Sequence, residues 1–126
     1  MSKPILHHMH VTCNELEPMI VFWEAACGAK LEERRTFSGG APGAVLDIGA
    51  KARLYLKQVS CRLPEAAMAG VDHLGLAVED LDAACKTACE VPGVRLDTPP
   101  TLLQSGSRIA FIRGPEEILV ELVEVK

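Results

Sequence analysis

Aromatic side chains are scarce in this chain: one Trp, one Tyr and three Phe among 126 residues. A core must therefore be built from Leu, Val, Ala, Ile and Met, and a hydrophobic content of 48% is enough to build one. Long basic runs are absent and the formal net charge is −4. That balance argues against nucleic acid or an anionic membrane surface as the main partner. No apolar stretch approaches the length of a membrane span. Met1-Ser2-Lys3-Pro4 leads into histidines rather than into the core of a signal peptide. The five cysteines are an odd count without an export signal. They read as reduced thiols in the cytoplasm rather than as a disulfide framework.

What is present is a repeated phrase. Val71-Asp72-His73-Leu74-Gly75-Leu76-Ala77-Val78-Glu79-Asp80-Leu81 reads as a buried strand that ends at an acidic helix cap, with one histidine interrupting its apolar run. His8-Met9-His10-Val11-Thr12-Cys13-Asn14-Glu15-Leu16 repeats it near the N-terminus. In both copies a histidine stands eight residues before the leucine, and the copies lie 65 residues apart (8 to 73). A single duplication of about half the chain suggests two packed units rather than a solenoid. The units are residues 1–60 and 71–126, joined by a linker at 61–70 that holds Pro64 and an alanine-rich stretch.

Each unit reads as strand, helix, then three strands. In the first, Ile5 to Thr12 is a strand, and alternation puts His8 and His10 on one face and His7 on the other. Asn14 is placed to cap a helix with Glu17 as its capping-box partner. That helix has Leu16, Met19, Ile20, Trp23 and Cys27 on one face, and Gly28 stops it. Strands follow at Lys30 to Phe37, Ala44 to Ile48 and Ala52 to Val59. In the second unit Asp72 to Val78 is a strand, and Asp80 caps a helix to about Glu90 with Leu81, Ala84, Cys85 and Ala88 inward. Val94 to Asp97 is a short strand broken by Thr98-Pro99-Pro100. Leu103 to Arg113 holds a strand after a turn at Ser105-Gly106, and Ile118 to Val125 is the last.

This duplicated order, the paired histidines and Leu119-Val120-Glu121-Leu122-Val123 after a Gly-Pro turn together resemble the vicinal oxygen chelate superfamily. That group includes glyoxalase I, extradiol dioxygenases, methylmalonyl-CoA epimerase and the fosfomycin and bleomycin resistance proteins. The resemblance covers nearly the whole chain. It implies an α+β fold in which two βαβββ repeats form a half-open mixed β-sheet barrel with helices packed outside. It also implies one divalent metal ion held by His8, His73 and Glu121. The family's fourth position, an acid or amide in the last strand of the first unit, falls on Tyr55. This departure leaves two histidines and one carboxylate, as in the dioxygenases and fosfomycin enzymes, and points away from glyoxalase I activity itself. The turn departs too: Gly114-Pro115-Glu116-Glu117 replaces the usual Asp-Pro-Asp/Glu-Gly.

Two imidazoles and a carboxylate with open positions suit a catalytic ion, and they do not choose among iron, manganese, zinc, cobalt and nickel. A buried, unpaired Glu121 would be costly, and metal binding resolves that cost. His10 lies about 7 Å along the face of His8 at the usual strand rise, either to transfer protons or as a solvated histidine at the barrel mouth. Its counterpart Gly75 leaves room opposite. Tyr55 is a distant fourth ligand, a hydrogen-bond donor to substrate or a packed aromatic; a phenol pKa near 10 makes it a poor general base. Arg53 and Lys57 share its parity and form either an anion-friendly rim or a solvated strand end. Cys85 reads as a small core residue, Cys89 as exposed, and Phe22-Trp23 as helix packing.

The resemblance thus implies a small metalloenzyme, a lyase, isomerase or dioxygenase, that binds vicinal oxygens of a small substrate and stabilises an enediolate or other oxyanion. The alternative is a non-enzymatic binding protein of the bleomycin-resistance type. A homodimer is expected, with the units pairing within one chain or swapped between chains.

Overall fold

The computed structural model describes residues 7–49, 51–60 and 73–125. The expected strand start at Ile5, the linker at 61–70 and Asp72 lie outside the described residues. The chain divides into two compact units, each a βαβββ repeat with a four-stranded mixed sheet.

In the first unit β1 (His8–Cys13) leads to α1 (Leu16–Val21), then β2 (Lys30–Phe37), β3 (Ala41–Asp47) and β4 (Arg53–Gln58) follow, in spatial order β1-β4-β3-β2. β1 runs parallel to β4, and the other pairs are antiparallel. The second unit repeats this with β5 (Leu74–Val78), α2 (Leu81–Cys89), β6 (Arg95–Leu102), β7 (Arg108–Arg113) and β8 (Leu119–Glu124), ordered β5-β8-β7-β6. Among the described residues no helix is long and apolar enough to cross a membrane.

Each helix packs on its own sheet, α1 against β3 and β4, and α2 against β6, β7 and β8. Strand alternation turns Leu54 and Leu56 toward α1, and both are fully buried with Leu46, Leu16, Met19 and Ile20. In the second unit Val120, Leu122 and Ile112 are buried with Leu81, Cys85 and Ala88. A fully buried Leu or Ile is worth about 1.5–3 kcal/mol, so this layer fixes which face of each strand is left for chemistry.

The helix starts differ from expectation in an informative way. Glu15, not Asn14, stands at the cap of α1, and its side chain makes no cap hydrogen bond. Glu17 instead bonds Arg34 in a two-pronged pair at 2.6 and 2.7 Å. The first helical N–H, that of Leu16, donates to Gln58 Oε1 at 2.9 Å, from the end of β4. α2 repeats the device: Leu81 N–H donates to Glu124 Oε2 at 3.0 Å, from the end of β8. Asp80 also caps α2 through Ala83 N–H at 3.0 Å, as its sequence position indicates. α1 continues as a π-type turn over Phe22–Ala26 and stops at Gly28, whose φ of +77° suits glycine. Phe22 and Trp23 are buried, ring against ring at 5.6 Å.

Two strands run further than the sequence suggests. β3 starts at Ala41 rather than Ala44, and Gly43 is buried where a side chain would meet the Phe37 ring. β6 continues through Pro99-Pro100 to Leu102. Proline interrupts a ladder only where its N–H is needed; β6 is an edge strand, and the register shifts between Thr98 and Thr101. In the turns before β4 and β8, Lys51 and Glu117 both hold φ of +63°. Glu117 thus adopts a left-handed conformation at the point where the related turn has glycine.

Candidate functional site

The chemistry-bearing residues lie on the sheet faces turned away from the helices. In the first sheet one row across the strands is His10, Tyr55 and Val45, with Glu33 beyond. In the second the same row is Gly75, Glu121 and Phe111, with Thr98 beyond. The offset is 65 residues for the outer members (10 to 75, 33 to 98) and 66 for the inner ones (45 to 111, 55 to 121). Register alone therefore sets Tyr55 where Glu121 stands.

In the second unit His73 immediately precedes β5, and its Nε2 lies 3.1 Å from Glu121 Oε1. Both side chains are partly covered, 31% and 21% exposed. Glu121 sits on a strand flanked by β5 and β7, so its backbone is fixed on both sides. Its neighbours in the row are the bare Gly75, where a Cβ would come 3.9 Å from Glu121 Oε1, and Phe111. The Phe111 ring stands edge-on to His73 at 5.1 Å. An imidazole and a carboxylate thus converge with open space over one flank and an apolar wall on the other.

The first unit gathers rings around Tyr55 of that row. His8 stacks on Tyr55 at 4.2 Å with the planes 10° apart. His10 meets Tyr55 edge-on at 5.6 Å and Phe37 at 4.8 Å. Burial, with the nearby His8 and Lys57, lowers the His10 pKa below its ordinary value. Arg35 lies over both Tyr55 and Phe37, at 5.2 and 5.8 Å from the ring centres, while Glu33 binds its Nε at 2.7 Å.

The expected placement of His7 is corrected here. Alternation was to send it away from His8, yet its Nδ1 lies 2.9 Å from His8 Nδ1. The strand begins only at His8, so the pleat does not govern the residue before it. Arg53 is occupied: Glu32 binds its Nε at 2.6 Å and Asp47 lies 3.7 Å from its guanidinium. Lys57 pairs across the ladder with Thr12 and Gly43. A cavity of about 460 Å³ opens in this unit between Tyr55, Val45, Arg35, Arg53, Glu33 and His7. Arg35, Phe37 and Phe111 were missed in the sequence. The period-two run Glu33, Arg35, Phe37 in β2 was the available signal.

Among the described residues of either unit, no three His, Cys, Asp or Glu side chains converge closely enough to hold an ion. Cys85 and Cys89 do not join either cluster: Cys85 is buried and Cys89 exposed on α2.

This arrangement has relatives. The sequence profile of the Glyoxalase/Bleomycin resistance protein/Dioxygenase superfamily matches residues 5–122, and the chain belongs to that superfamily. The chain is 27% identical to the Bacillus subtilis (strain 168) protein YwbC, over 98% of this chain and 99% of that one. Among solved structures, a superfamily member from Sphaerobacter thermophilus superposes with a TM-score of 0.77 at 21% identity, covering 98% of each chain. Glyoxalase I from Zea mays superposes with a TM-score of 0.76 at 19% identity. There the match covers 95% of this chain but only 44% of the maize protein. These likenesses establish the fold.

Proposed function

We propose that the chain is a small metal-dependent enzyme acting on a small molecule with two neighbouring oxygens. In this reading His8, His73 and Glu121 hold one divalent ion of iron, manganese, zinc, cobalt or nickel. The observation that carries it is the 3.1 Å approach of His73 Nε2 to Glu121 Oε1. Two ligands at about 2.1 Å from one ion and at right angles to each other stand roughly 3 Å apart, so this pair already has the spacing of a shared ion. His8 is the third ligand by its repeat position, opposite the start of β4.

The ion supplies a fixed positive charge that offsets negative charge developing on substrate oxygen. The chain's own groups do the rest. Gly75 keeps the flank of Glu121 clear for substrate, and Phe111 excludes water from the other flank. His10 takes and returns a proton, and the Tyr55 hydroxyl donates to substrate oxygen. Lys57 receives an anionic substrate group. Arg53, already balanced by Glu32 and Asp47, shapes the rim of the cavity rather than adding net charge to it. The reaction is of lyase, isomerase or dioxygenase type, carried out in the cytoplasm by a homodimer, with no nucleic-acid or membrane partner.

The test is a turnover screen of metal-loaded protein against hydroxy-carbonyls, diols and phosphonates, under nitrogen and under air, beside Glu121→Gln. Metal-dependent turnover lost in the variant is expected. No turnover with any of the five metals, together with tight binding of metal-free apolar ligands, would replace this reading with that of a binding protein.

A further inference from the structure

We propose that Lys51 anchors a small monocarboxylate in the cavity of the first unit, with the apolar body of that ligand against Val45 and Tyr55. The site is built wholly from the first unit and needs no ion, so it goes beyond the metal reading and stands apart from it. The cavity, about 460 Å³, has the size of a small-molecule site. Its charged lining is Lys51, Arg35 and Arg53 against Glu32 and Glu33. All but Lys51 are already matched. Glu33 binds Arg35 through Nε at 2.7 Å and through a second guanidinium nitrogen. Glu32 binds Arg53 Nε at 2.6 Å, and Arg53 Nη1 reaches the Ala52 carbonyl at 3.2 Å, which leaves Nη2 without a partner among the described residues. Lys51 is exposed and makes no hydrogen bond or ion pair among the described residues. The unspent charge of the lining is therefore one ammonium, with Arg53 Nη2 as a second donor. One carboxylate matches that. A phosphate dianion would bring a further negative charge up to Glu32 and Glu33.

The backbone at Lys51 supports the same role. Its φ of +63° is a left-handed conformation that glycine adopts without strain and lysine does not. The turn holds it there: Asp47 Oδ1 accepts Gly49 N–H at 2.8 Å, and the Gly49 carbonyl accepts Ala52 N–H at 3.0 Å. The repeat supplies the comparison. Glu117 takes the same φ in the turn before β8, and Arg95 binds its carboxylate at 2.7 Å, which offsets the strain. Lys51 has no such contact among the described residues, so no side-chain bond there offsets its strain. Residues held in such conformations cluster at ligand sites, and this one lines the cavity. Lys57 does not line it. It lies four residues along β4 from Arg53, about 13 Å at the usual strand rise, so the two lysines do not share one small carboxylate.

The experiment titrates the full-length, metal-free protein with benzoate, beside benzamide as its uncharged counterpart and inorganic phosphate. ¹H–¹⁵N correlation spectra follow the Val45, Arg53 and Tyr55 amides in wild type, Lys51→Gly, Lys51→Gln and Lys51→Arg. Benzoate is expected to shift these amides at lower concentration than either comparator, and to bind more weakly as salt rises, because an exposed charge is screened. Lys51→Gly and Lys51→Gln are each expected to bind benzoate about fivefold more weakly, and Lys51→Arg to stay within about twofold of wild type. Lys51→Gly should do so with an unchanged or higher melting temperature, which separates lost binding from lost fold. A lysine that only holds its turn would instead lower the melting temperature when replaced and leave benzoate affinity as it was. That result overturns the proposal. So does benzamide or phosphate binding as tightly as benzoate, and so does a wild type that benzoate leaves unshifted. The metal reading stands or falls on metal uptake, which no arm of this titration measures.

Discussion

The two halves of this chain share a frame and differ in one row. Both place a histidine at the entry to the first strand, a leucine at the helix start and an amide or carboxylate at the end of the last strand to receive that leucine's N–H. Both bend the last turn through a non-glycine residue at φ +63°. Only the row that faces away from the helix diverges. In the second half it reads Gly75, Glu121, Phe111: a carboxylate with space on one flank. In the first it reads His10, Tyr55, Val45: rings packed on rings under Arg35. Backbone needs constrain the frame in both copies, because a buried helix start must have its N–H groups met. The row carries no such burden, so one copy pairs a histidine with a carboxylate while the other packs aromatic rings around Tyr55.

The largest effect that could break this comparison is on metal affinity. His73→Ala or Glu121→Ala is expected to weaken binding beyond the roughly 10–100-fold of an outer-shell change, since a ligand itself is lost. Tyr55→Phe, at the matching row position, is expected to leave affinity within a few-fold. Equal losses in all three would mean that the halves contribute alike. Calorimetric titration with zinc reads the difference.

Next in size are the two helix caps. Glu124 receives Leu81 N–H and also holds Arg108 at 3.1 and 3.2 Å, with only 9% of its side chain exposed. Glu124→Ala is expected to cost about 2 kcal/mol, and Gln58→Ala about 1 kcal/mol, in urea unfolding. Glu124→Gln keeps the cap and should recover part of the loss. The reverse ranking of the two alanine variants would show that the charged network adds nothing to the cap.

Converting one half toward the other sharpens the comparison. Tyr55→Glu restores the acid of the related fourth position, and it is expected to tighten metal binding about tenfold, or about 1.4 kcal/mol. Unchanged affinity would mean that this row of the first unit does not face the ion. The smallest effect is on the turns. Lys51→Gly and Glu117→Gly relieve left-handed strain and are each expected to raise the melting temperature by roughly 2 °C. A fall in either would mean that its side chain, such as Glu117 with Arg95 at 2.7 Å, holds the turn more than the strain opposes it.

The repeat was legible because it is written in local patterns. The bounds of β2 at Lys30 and Phe37, the Asp80 cap and the inward Cys85 all follow from period and neighbour chemistry. His73 and Glu121 stand 48 residues apart, and only the resemblance to the superfamily, not any local pattern, set them side by side as expected ligands. Contacts across long spans without a repeated signature stayed hidden. Gln58 caps a helix 42 residues earlier, and nothing around Leu16 marks it. Pro99-Pro100 reads as a breaker until β6 is known to be an edge strand. His7 was misplaced because alternation was carried one residue past the strand's start.

The most direct test of the central claim is elemental analysis of untagged protein after exposure to iron(II), manganese, zinc, cobalt and nickel, beside His73→Ala. Near-stoichiometric metal in the wild type, lost in the variant, is the predicted result. A wild type that takes up none of the five, or a variant that keeps its full metal content, would contradict the account.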